Sequence, residues 1–367
     1  MKVLFDHKLF STQTYGGASR YMHELMKNLP RNVWETTTLL ANNEYIKSPR
    51  LFNYCDFFPN RPFKGKALFM YWLNRPYTYM MLRKGDYDIF HQTDFDTYYF
   101  NAIKGKKMVM TFHDMNYSKY RHLFVNTLTN NIDDRERFQK ESVERADRIV
   151  AVSQHTKEDL VNRWDVDSNK VVVIHHGVDK VRKTDLDVAR IVDAPFLLFV
   201  GERYGFKNFE RFLHAFSLVS RKYSDLKLVC TGRKFSEADS ALIRQENLMN
   251  KVIQLSADEK SLARLYRDAE MFVFPSFSEG FGMPILEAMV YDCPVVLSNA
   301  SCFPEVAGQA GVYFDPYRTE DIAEKIERVL VDSTLRSNLV ALGHERLNAF
   351  SWEKNASEHM SVYQSLL

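Results

Sequence analysis

Short apolar runs alternate with longer amphipathic segments along most of the chain. Runs rich in Val, Ile, Leu and Phe are predicted to be strands, and the segments between them are predicted to be helices. The predicted strands are 2–6, 34–40, 87–92, 107–114, 148–153 and 170–176, and then 195–201, 226–232, 251–256, 271–276, 294–299 and 311–316. The predicted helices include 17–29, 135–146, 208–222, 236–248, 259–268, 284–291 and 319–331. This alternation is typical of βα units and parallel sheets.

The pattern starts again halfway along the chain, after a polar and charged stretch that begins at residue 180. We therefore predict an α/β protein with two doubly wound, Rossmann-like parallel-sheet domains. The boundary is expected near residue 185, which gives domains 1–185 and 186–351. A chain of 367 residues is long enough to bury two hydrophobic cores. Ligands of such sheets bind beyond the carboxyl ends of the strands, so candidate site residues are expected just after strands.

Composition places the chain among globular proteins, with 45% hydrophobic and 26% charged residues. The start of the sequence has no pattern of a signal peptide, and no run approaches the roughly 18 apolar residues of a membrane span. The four cysteines are scattered, without a C-x-x-C pair, so neither a disulfide framework nor a zinc site is expected. These features predict a cytoplasmic protein.

Positive charge is concentrated in the first half of the chain. Residues 1–180 carry 27 Lys and Arg against 21 Asp and Glu, whereas the remaining residues carry 22 against 26. Within residues 47–84, eight basic residues stand against one acid and alternate with many aromatic residues. Such a region can rest on an anionic membrane, and a solvated face over core aromatics is the alternative. No nucleic-acid-binding module is recognisable, so nucleic acid is not expected as a partner.

The segment FSEGFGMPILEAM, residues 277–289, holds the most specific pattern in the chain. Gly280 and Gly282 allow tight turns and close approach of a ligand. Pro284 is predicted to be the first residue of the next helix, where a missing N–H group does no harm. The free N–H groups at that helix start are suited to bind a phosphate or another electron-rich oxygen.

Two carboxylates, Glu279 and Glu287, bracket this turn with seven residues between them. An ionised carboxylate accepts hydrogen bonds only, which suits the hydroxyl groups of a sugar or a ribose. The alternative is that both glutamates only stabilise the positive end of the helix. The segment lacks the third glycine of a dinucleotide-binding fingerprint.

The pattern E-G-F-G-x-P-x-x-E-A after a strand resembles the E-x7-E motif of family 4 of the retaining glycosyltransferases, which have the GT-B fold. The resemblance extends over essentially the whole chain and is strongest in residues 195–356. Further matching stretches are FDHKLFSTQTYGGASRY (5–21), FVGERYGFKNF (199–209), LVCTG (228–232), VLSNASCFPEVAGQAGVYFDP (296–316) and FSWEKNA (350–356).

The resemblance implies a role for each matched position. Arg203 and Lys207 are expected to bind the diphosphate of a nucleotide sugar, although Glu202 stands directly after the glycine where the family often has Arg. Glu287 is expected to hold the ribose hydroxyls, and Glu279 the transferred sugar, together with the backbone of Phe281. His113 matches a histidine that reaches the donor sugar. The catalytic residues implied are Glu279, Arg203, Lys207 and His113, and the donor-binding residues implied are Gly201, Gly232, Ser276, Gly280, Phe281, Gly282, Pro284 and Glu287.

The first domain supplies candidates for an acceptor or phosphate loop. Gly16 and Gly17 precede a predicted helix and form a possible anion site there. Asp114 follows His113 at the end of a strand. Ser153 also ends a strand, and capping of the following helix is its alternative role. In relatives the last helix crosses back to the first domain, so residues 352–367 are assigned to that domain.

No metal site is predicted. Three D-x-D patterns, at 94–96, 86–88 and 165–167, show how readily this spacing arises here. The pair His175 and His176 is expected on a strand, where the two side chains would point to opposite faces. No third ligand stands at a fixed spacing from them.

The resemblance implies a metal-independent, retaining glycosyltransferase without a cofactor. Its co-substrate would be a GDP-, UDP- or dTDP-linked sugar, bound by the second domain, and the first domain would bind a saccharide acceptor. A lipid-linked acceptor would place the enzyme on the cytoplasmic face of the inner membrane, in O-antigen, capsule or exopolysaccharide assembly. Two alternatives are a sugar-nucleotide 2-epimerase and a non-catalytic sugar-nucleotide-binding subunit.

Overall fold

A computed structural model describes residues 1–59, 61, 63–124, 129–179 and 188–367. The chain divides into two compact units. The first unit comprises Met1–Ser118, Val125–Gly177 and Trp352–Leu367, and the second comprises Lys119–Phe124 and Val178–Ser351. The predicted boundary near residue 185 lies outside the described residues.

The first unit contains a parallel six-stranded sheet with the strand order β2-β1-β5-β6-β7-β8. A separate pair, β3 and β4, is also parallel. The strands are β1 (Val3–Phe5), β2 (Trp34–Thr36), β3 (Leu40–Ala41), β4 (Cys55–Asp56), β5 (Ile89–Gln92), β6 (Lys107–Phe112), β7 (Arg148–Ala151) and β8 (Val171–Val173). Its helices are α1 (Lys8–Thr12), α2 (Gly17–Asn28), α3 (Lys66–Lys84), α4 (Asn116–Lys119, at its edge), α5 (Thr129–Arg145), α6 (Gln154–Trp164) and α14 (Trp352–Gln364).

The second unit contains another parallel six-stranded sheet, with the order β11-β10-β9-β12-β13-β14. The strands are β9 (Phe196–Val200), β10 (Lys227–Thr231), β11 (Val252–Leu255), β12 (Met271–Phe274), β13 (Val295–Ser298) and β14 (Gly311–Phe314). The helices are α7 (Phe209–Lys222), α8 (Glu237–Gln245), α9 (Glu259–Asp268), α10 (Met283–Val290), α11 (Phe303–Ala307), α12 (Thr319–Val331) and α13 (Ser333–Leu347).

Helix α7 illustrates how the second unit is built. Phe209, Phe212 and Phe216 lie on its buried face and join the hydrophobic core that covers one side of the sheet. The strands beneath it are buried along nearly their whole length. Strands covered on both faces are expected to be continuous apolar runs, as these are.

The predicted fold class is confirmed, since both units contain a doubly wound parallel sheet. Some elements differ from their predicted bounds. The strand predicted at 170–176 ends at Val173, so His175 and His176 follow the strand rather than lie on it. Helix α3 was not predicted. None of the helices in the described parts of the chain has the length and apolar character that crossing a membrane requires.

Candidate functional site

The strand order of the second sheet reverses between the neighbouring strands β9 and β12. The strands that follow β9 in the chain, β10 and β11, lie on one side of this pair, and those that follow β12, β13 and β14, lie on the other side. In open parallel sheets, ligands bind outside the carboxyl ends of the strands at such a switch point. The loop after β9 carries Lys207, and the loop after β12 carries Glu279. The fold therefore brings these two predicted site residues to the position where a ligand is expected.

Lys207 and Glu279 form an ion pair at this position. Lys207 Nζ lies 2.7 Å from Glu279 Oε1, and both side chains are mostly buried. The ammonium group also lies 5.2 Å from the centre of the Phe206 ring and 5.8 Å from that of Phe274. Aromatic rings on two sides shield the cation from water, which strengthens its interaction with an anion.

Ser301 holds the backbone of Glu279 on both sides, and no motif in the sequence pointed to it. Ser301 Oγ donates to the Glu279 carbonyl at 2.8 Å and accepts from the Glu279 N–H group at 3.1 Å. Ser301 itself has φ of +56°, an uncommon conformation for a residue with a side chain. The contact joins loops that lie 22 residues apart in sequence. No local pattern could have revealed it.

Helix α10 begins at Met283, so Pro284 is its second residue and not its first, as was predicted. The missing N–H group is still one of the four that no helical carbonyl can bind. Gly282 caps the helix with φ of +87°, and an added Cβ would lie 3.1 Å from Ile285 Cδ1. The left-handed conformation therefore favours glycine, and a larger residue would also press on the Ile285 side chain.

Glu287 lies one turn into α10, as expected, and is half-buried. The hydroxyl of Tyr266, from α9, lies 3.3 Å from Glu287 Oε2 and donates to it. Tyr266 is fully buried and orients this carboxylate from behind. No pattern in the sequence indicated a role for Tyr266.

Gly201 and Gly232 follow the adjacent strands β9 and β10 and lie against each other. Their φ angles are +115° and +107°. A Cβ on Gly232 would lie 2.9 Å from the Gly201 carbonyl oxygen, so the two backbones could not approach this closely with larger residues. The two glycines thus set the spacing of the loops that follow them.

Arg203 points into the protein and holds the loop after β10. Its guanidinium group donates to the carbonyl oxygens of Thr231 at 3.4 Å and Lys234 at 3.1 Å, and also to that of Arg233. It lies 3.5 Å from Asp239 and is 9% exposed. The guanidinium N–H groups of Arg203 are therefore directed at this loop. If Arg203 also bound a diphosphate, as predicted, the same N–H groups would have to serve both the loop and the diphosphate.

Three further predicted residues lie in the loop after β12. Ser276 is buried, and its Oγ has no hydrogen-bond partner within the described parts of the chain. Phe281 is buried and packs edge-on against Phe350, with ring centres 5.7 Å apart. Gly280 lies between Glu279 and Phe281 in this loop. Asn208, which was not predicted, donates to the carbonyl oxygens of Pro275 at 3.0 Å and Pro316 at 2.8 Å and so fixes the loop's start.

In the first unit, Gly16 and Gly17 form the amino end of α2. Gly17 is the first residue of the helix, and Gly16 precedes it in an extended conformation. The Gly16 carbonyl oxygen accepts from the Arg20 N–H group at 3.0 Å and from Ser19 Oγ at 3.1 Å. The helix therefore starts without a side-chain cap.

His113 follows β6 and packs against α2 through Tyr21. The two rings meet edge to face with centres 5.4 Å apart. Burial lowers the pKa of His113 to about 4, outweighing the nearby carboxylates of Asp114 and Asp94, so the ring is neutral at neutral pH. Its Nε2 atom has no hydrogen-bond partner among the residues that the structure describes. A neutral imidazole can donate or accept one hydrogen bond with a ligand.

Asp114 and Ser153 are engaged in local structure. Asp114 Oδ1 accepts from the Asn116 N–H group at 3.0 Å and so starts α4. Ser153 is the N-cap of α6, where its Oγ accepts from the Thr156 N–H group at 3.1 Å. In this structure Ser153 therefore caps the helix that follows it, which was the alternative role considered for it.

Residues of the patterns that were not predicted to bind metal contact other side chains. Asp96 accepts from the Tyr71 hydroxyl at 2.6 Å, and Asp94 lies 3.7 Å from Lys8 Nζ. His176 is buried beside Tyr21, with ring centres 4.6 Å apart. Over the described ranges, no group of three or more His, Cys, Asp or Glu residues is arranged to hold a metal ion.

Two family models together match most of the chain. The model described as Glycosyltransferase Family 4 matches residues 15–182, and the one described as Glycosyl transferases group 1 matches residues 182–346. The second match contains every predicted donor-binding residue, and the first contains His113, Asp114 and Ser153 together with both glycines at the start of α2.

Similar proteins of known assignment include bacterial mannosyltransferases. The O-antigen chain mannosyltransferase B of Escherichia coli is 28% identical over 238 residues, which cover 62% of this chain and 62% of that protein. The serotype-specific mannosyltransferase WbdA of the same organism is 28% identical over 234 residues, which cover 60% of this chain but only 28% of that protein. The chain thus matches less than two thirds of the length of either relative.

Solved structures of similar fold cover the whole chain at low sequence identity. HepE of Anabaena, solved in complex with UDP and glucose, has a TM-score of 0.72 and 17% identity, and the match covers 100% of both chains. WaaG, described as a glycosyltransferase involved in lipopolysaccharide biosynthesis, has a TM-score of 0.72 and 15% identity, with 99% of both chains covered. At these identities the likeness establishes the fold.

Proposed function

The chain belongs to family 4 of the glycosyltransferases and has the GT-B fold, and we propose that it moves a hexose or deoxyhexose from a nucleotide-diphosphate sugar to a saccharide hydroxyl with retention of configuration. The second unit would bind the donor, and the first unit would bind the acceptor. The donor would be a GDP-, UDP- or dTDP-linked sugar, and the reaction would need no metal ion.

The observation that carries this proposal is the Lys207–Glu279 pair at the switch point of the second sheet. A donor diphosphate brings its own negative charge and would take Lys207 as its partner. Glu279 would then be released from the ammonium group and become free to accept hydrogen bonds from the sugar hydroxyls. One ion pair thus positions both groups that the reaction needs, a cation for the leaving diphosphate and a carboxylate for the sugar.

The remaining second-unit residues would complete donor recognition. Glu287, oriented by Tyr266, is suited to accept from both ribose hydroxyls. The N–H groups at the start of α10, after Gly282, are directed away from the helix and suit a phosphate or sugar oxygen. Gly201, Gly232, Ser276, Gly280, Phe281 and Pro284 would shape the pocket through backbone and packing contacts.

Lys207 and Arg203 would have different roles. The ammonium group of Lys207 contacts a single exchangeable carboxylate, whereas the guanidinium group of Arg203 holds three backbone carbonyls and lies near Asp239. We therefore assign diphosphate contact primarily to Lys207. Arg203 would act as a positioning residue that orders the loop after β10.

In the proposed reaction, the bond between the anomeric carbon and the phosphate oxygen breaks, and the nucleoside diphosphate leaves with the bonding electrons. The acceptor oxygen forms its bond to the anomeric carbon from the same face, and its proton passes to the departing phosphate oxygen. Lys207 stabilises the negative charge that develops on the diphosphate, and such stabilisation is usually the main source of rate acceleration. His113, neutral by virtue of its low pKa, would serve as a hydrogen-bonding group for the donor sugar rather than as a cation.

The proposed acceptor is a lipid-linked saccharide in O-antigen, capsule or exopolysaccharide assembly. The similar O-antigen mannosyltransferases support this choice. Such an acceptor would place the enzyme at the cytoplasmic face of the inner membrane, with peripheral contact through the basic and aromatic region 47–84. Gly16, Gly17, Asp114 and Ser153 remain predicted parts of the acceptor or phosphate loop.

A panel of nucleotide sugars, incubated with the protein and a lipid-linked saccharide extract, tests the proposal. Mass spectrometry is expected to show one nucleotide sugar consumed and an acceptor heavier by one hexose or deoxyhexose residue. NMR of the product would show the anomeric configuration of the donor. Conversion of the nucleotide sugar to an epimer or a free sugar, or binding without any turnover, would overturn it.

A further inference from the structure

Helix α3 turns polar residues inward. Asn74 is fully buried, and its Oδ1 accepts from the Leu39 and Leu40 N–H groups at 2.9 and 2.8 Å. Its Nδ2 donates to Ser11 Oγ at 2.7 Å. One turn further on, the buried Thr78 hydroxyl donates to Thr37 Oγ1 at 2.8 Å. These bonds between buried groups fix which side of the helix faces the protein.

The opposite side of α3 exposes large apolar side chains. The exposed positions fall three, four or one residue apart, as they do on one face of a helix. The residues of this apolar face are Leu68, Phe69, Trp72, Leu73, Pro76 and Met80. The side chains of Leu68, Phe69, Trp72 and Met80 are between 49% and 59% exposed. A contiguous apolar surface of this kind marks an interaction site on a folded protein.

The same segment carries only positive charge. No acid and six basic residues lie between Asp56 and Asp86. Two of the basic residues, Arg61 and Lys64, lie in the loop before α3, and four lie in α3 itself: Lys66, Arg75, Arg83 and Lys84. Lys66 is turned inward and donates to the Phe58 carbonyl at 2.8 Å, so it contributes little to the surface. Arg75 lies over the rings of Trp72 and Tyr98, at 4.3 and 4.1 Å from their centres. Its guanidinium group therefore borders the apolar face directly.

A cavity of about 530 Å³ opens beside this face. It is lined by Trp72, Arg75, Pro76, Tyr79, Met80 and Tyr98. Its walls are aromatic and aliphatic, and Arg75 supplies a positive group at their edge. Apolar walls suit an acyl chain, and a guanidinium group suits the phosphate of a lipid headgroup.

We propose that the apolar face of α3 docks on an anionic lipid bilayer, with its apolar side chains at the boundary between headgroups and acyl chains and Arg75 and Arg83 among the headgroups. Charge decides between this partner and a second copy of the chain. If two copies met through the same face, their basic residues would repel each other. The negative charge of an anionic bilayer would instead neutralise the basic residues of one copy. The inference rests on the proposed function, which places peripheral membrane contact in region 47–84, and it assigns that contact to one face of α3.

The structure identifies the variants that test this docking. Phe69→Gln/Trp72→Gln changes two exposed side chains and leaves Asn74 and Thr78 in place. Met249→Gln/Val331→Gln is the matched control, since these two exposed apolar residues lie in the second unit. Binding is measured by sedimentation with vesicles of phosphatidylglycerol and phosphatidylcholine in equal parts, and with vesicles of phosphatidylcholine alone.

The wild type and the control are expected to bind the anionic vesicles, and Phe69→Gln/Trp72→Gln is expected to bind at least about tenfold more weakly, because burial of two aromatic side chains is lost. Arg75→Gln/Arg83→Gln is expected to lose about tenfold as well. Equal binding to both vesicle types, or no loss in the Phe69→Gln/Trp72→Gln variant, would overturn the proposal. The proposal would also be overturned if the wild type formed a dimer in solution and bound no vesicles, and Phe69→Gln/Trp72→Gln converted that dimer to monomers.

Transfer to a water-soluble saccharide acceptor separates this inference from the proposed function. Phe69→Gln/Trp72→Gln is expected to keep that activity while losing vesicle binding. If the protein binds vesicles in the expected pattern but transfers no sugar to any acceptor, the proposed function fails and the docking stands. If the protein transfers sugar but does not bind vesicles, the docking proposal fails and the proposed sugar-transfer activity stands.

Discussion

Each unit contains a six-stranded parallel sheet with a switch point, but the strand orders differ and so does the chemistry of the residues at the two switch points. In the first sheet the reversal lies between β1 and β5, where the buried Asp6 carboxylate accepts from the N–H groups of Lys8 at 2.8 Å and Thr93 at 3.0 Å and from the Tyr99 hydroxyl at 3.2 Å. In the second sheet the corresponding position holds the Lys207–Glu279 pair. Asp6 is buried and bound by groups of the protein itself, whereas we propose that a donor diphosphate takes the place of Glu279 beside Lys207. The topology of a sheet therefore determines where a ligand could bind, and the side chains at that switch point determine whether one does.

The units also differ in what they bury. The first unit buries histidines around Tyr21 and α14, including His359, whose Nε2 lies 3.1 Å from the Tyr21 hydroxyl, and it exposes the apolar face of α3. The second unit follows the ordinary arrangement, with the core residues of α7 inside and charged residues outside. Its histidines are less buried, since His122 and His344 are exposed and the side chain of His214 is 35% exposed.

The largest expected effect is acid unfolding of the first unit. Burial lowers the pKa values of five of its histidines, His7, His91, His113, His176 and His359, with values of about 3 for His7 and about 4 for His113 and His359. Since the unfolded chain binds protons below about pH 6.5 and these folded groups do not, stability is lost as the pH falls from there towards 4. His113 and His359 each contribute about 1.4 kcal/mol per pH unit in this window.

Asp6 acts in the opposite direction. Burial raises its pKa to about 6, so its protonation in the folded state favours folding as the pH falls below 6. The five histidines together outweigh this one carboxyl group. Hydrogen exchange, corrected for intrinsic rates, is expected to show protection lost first in the first unit between pH 6.5 and 4. His359→Gln should flatten this dependence, and equal loss of protection in both units would contradict the assignment.

The next effect contrasts the same residue type on two helices. Phe216→Ala, in the core face of α7, is expected to lower the free energy of unfolding by about 3–5 kcal/mol because it leaves a cavity. Phe69→Ala, on the exposed face of α3, is expected to change it by about 0.5 kcal/mol or less. Urea unfolding measures both. A comparable loss in the two variants would mean that Phe69 belongs to the folded core.

At the switch point, Lys207→Met is expected to lower kcat/KM for sugar transfer by about a hundredfold to a thousandfold, because the charge of the leaving diphosphate loses its cation. Lys222→Met is the matched control, as Lys222 is exposed and pairs with Glu327 at 2.8 Å. It should retain wild-type activity. An active Lys207→Met enzyme would show that another group stabilises the leaving diphosphate.

The smallest effect is expected at Ser301. Ser301→Ala removes both hydrogen bonds to the Glu279 backbone and should lower kcat about tenfold, with a stability loss of about 1 kcal/mol. A merely structural role would lower stability alone. Donor KM and kcat, measured at a temperature where the variant is fully folded, separate the two cases.

The sequence predicted the two sheets well because their central strands are buried along most of their length and appear as apolar runs. It missed α3 for the opposite reason. The polar residues Asn74 and Thr78 face inward, the apolar residues face outward, and Pro76 interrupts the helical pattern. A prediction that places apolar residues inside cannot assign such a helix.

The candidate site was predictable only where its residues follow one another in the chain. Glu279 and Glu287 were identified from the E-x7-E pattern, but Ser301 and Tyr266, which orient them, come from other loops and helices. The inward direction of Arg203 was also not visible, since its partners include backbone carbonyls, which every residue has. Contacts between distant segments depend on the folded structure and have no local signature.

The central claim is that Glu287 and Glu279 recognise different parts of one donor. Steady-state kinetics of sugar transfer by Glu287→Ala and Glu279→Ala, with the donor varied, test it most directly. We expect Glu287→Ala mainly to raise the donor KM, because a ribose contact is lost, and Glu279→Ala mainly to lower kcat, because the sugar is no longer held at the reacting centre. Equal and mild effects of the two substitutions would contradict the claim and leave both glutamates only the role of stabilising α10.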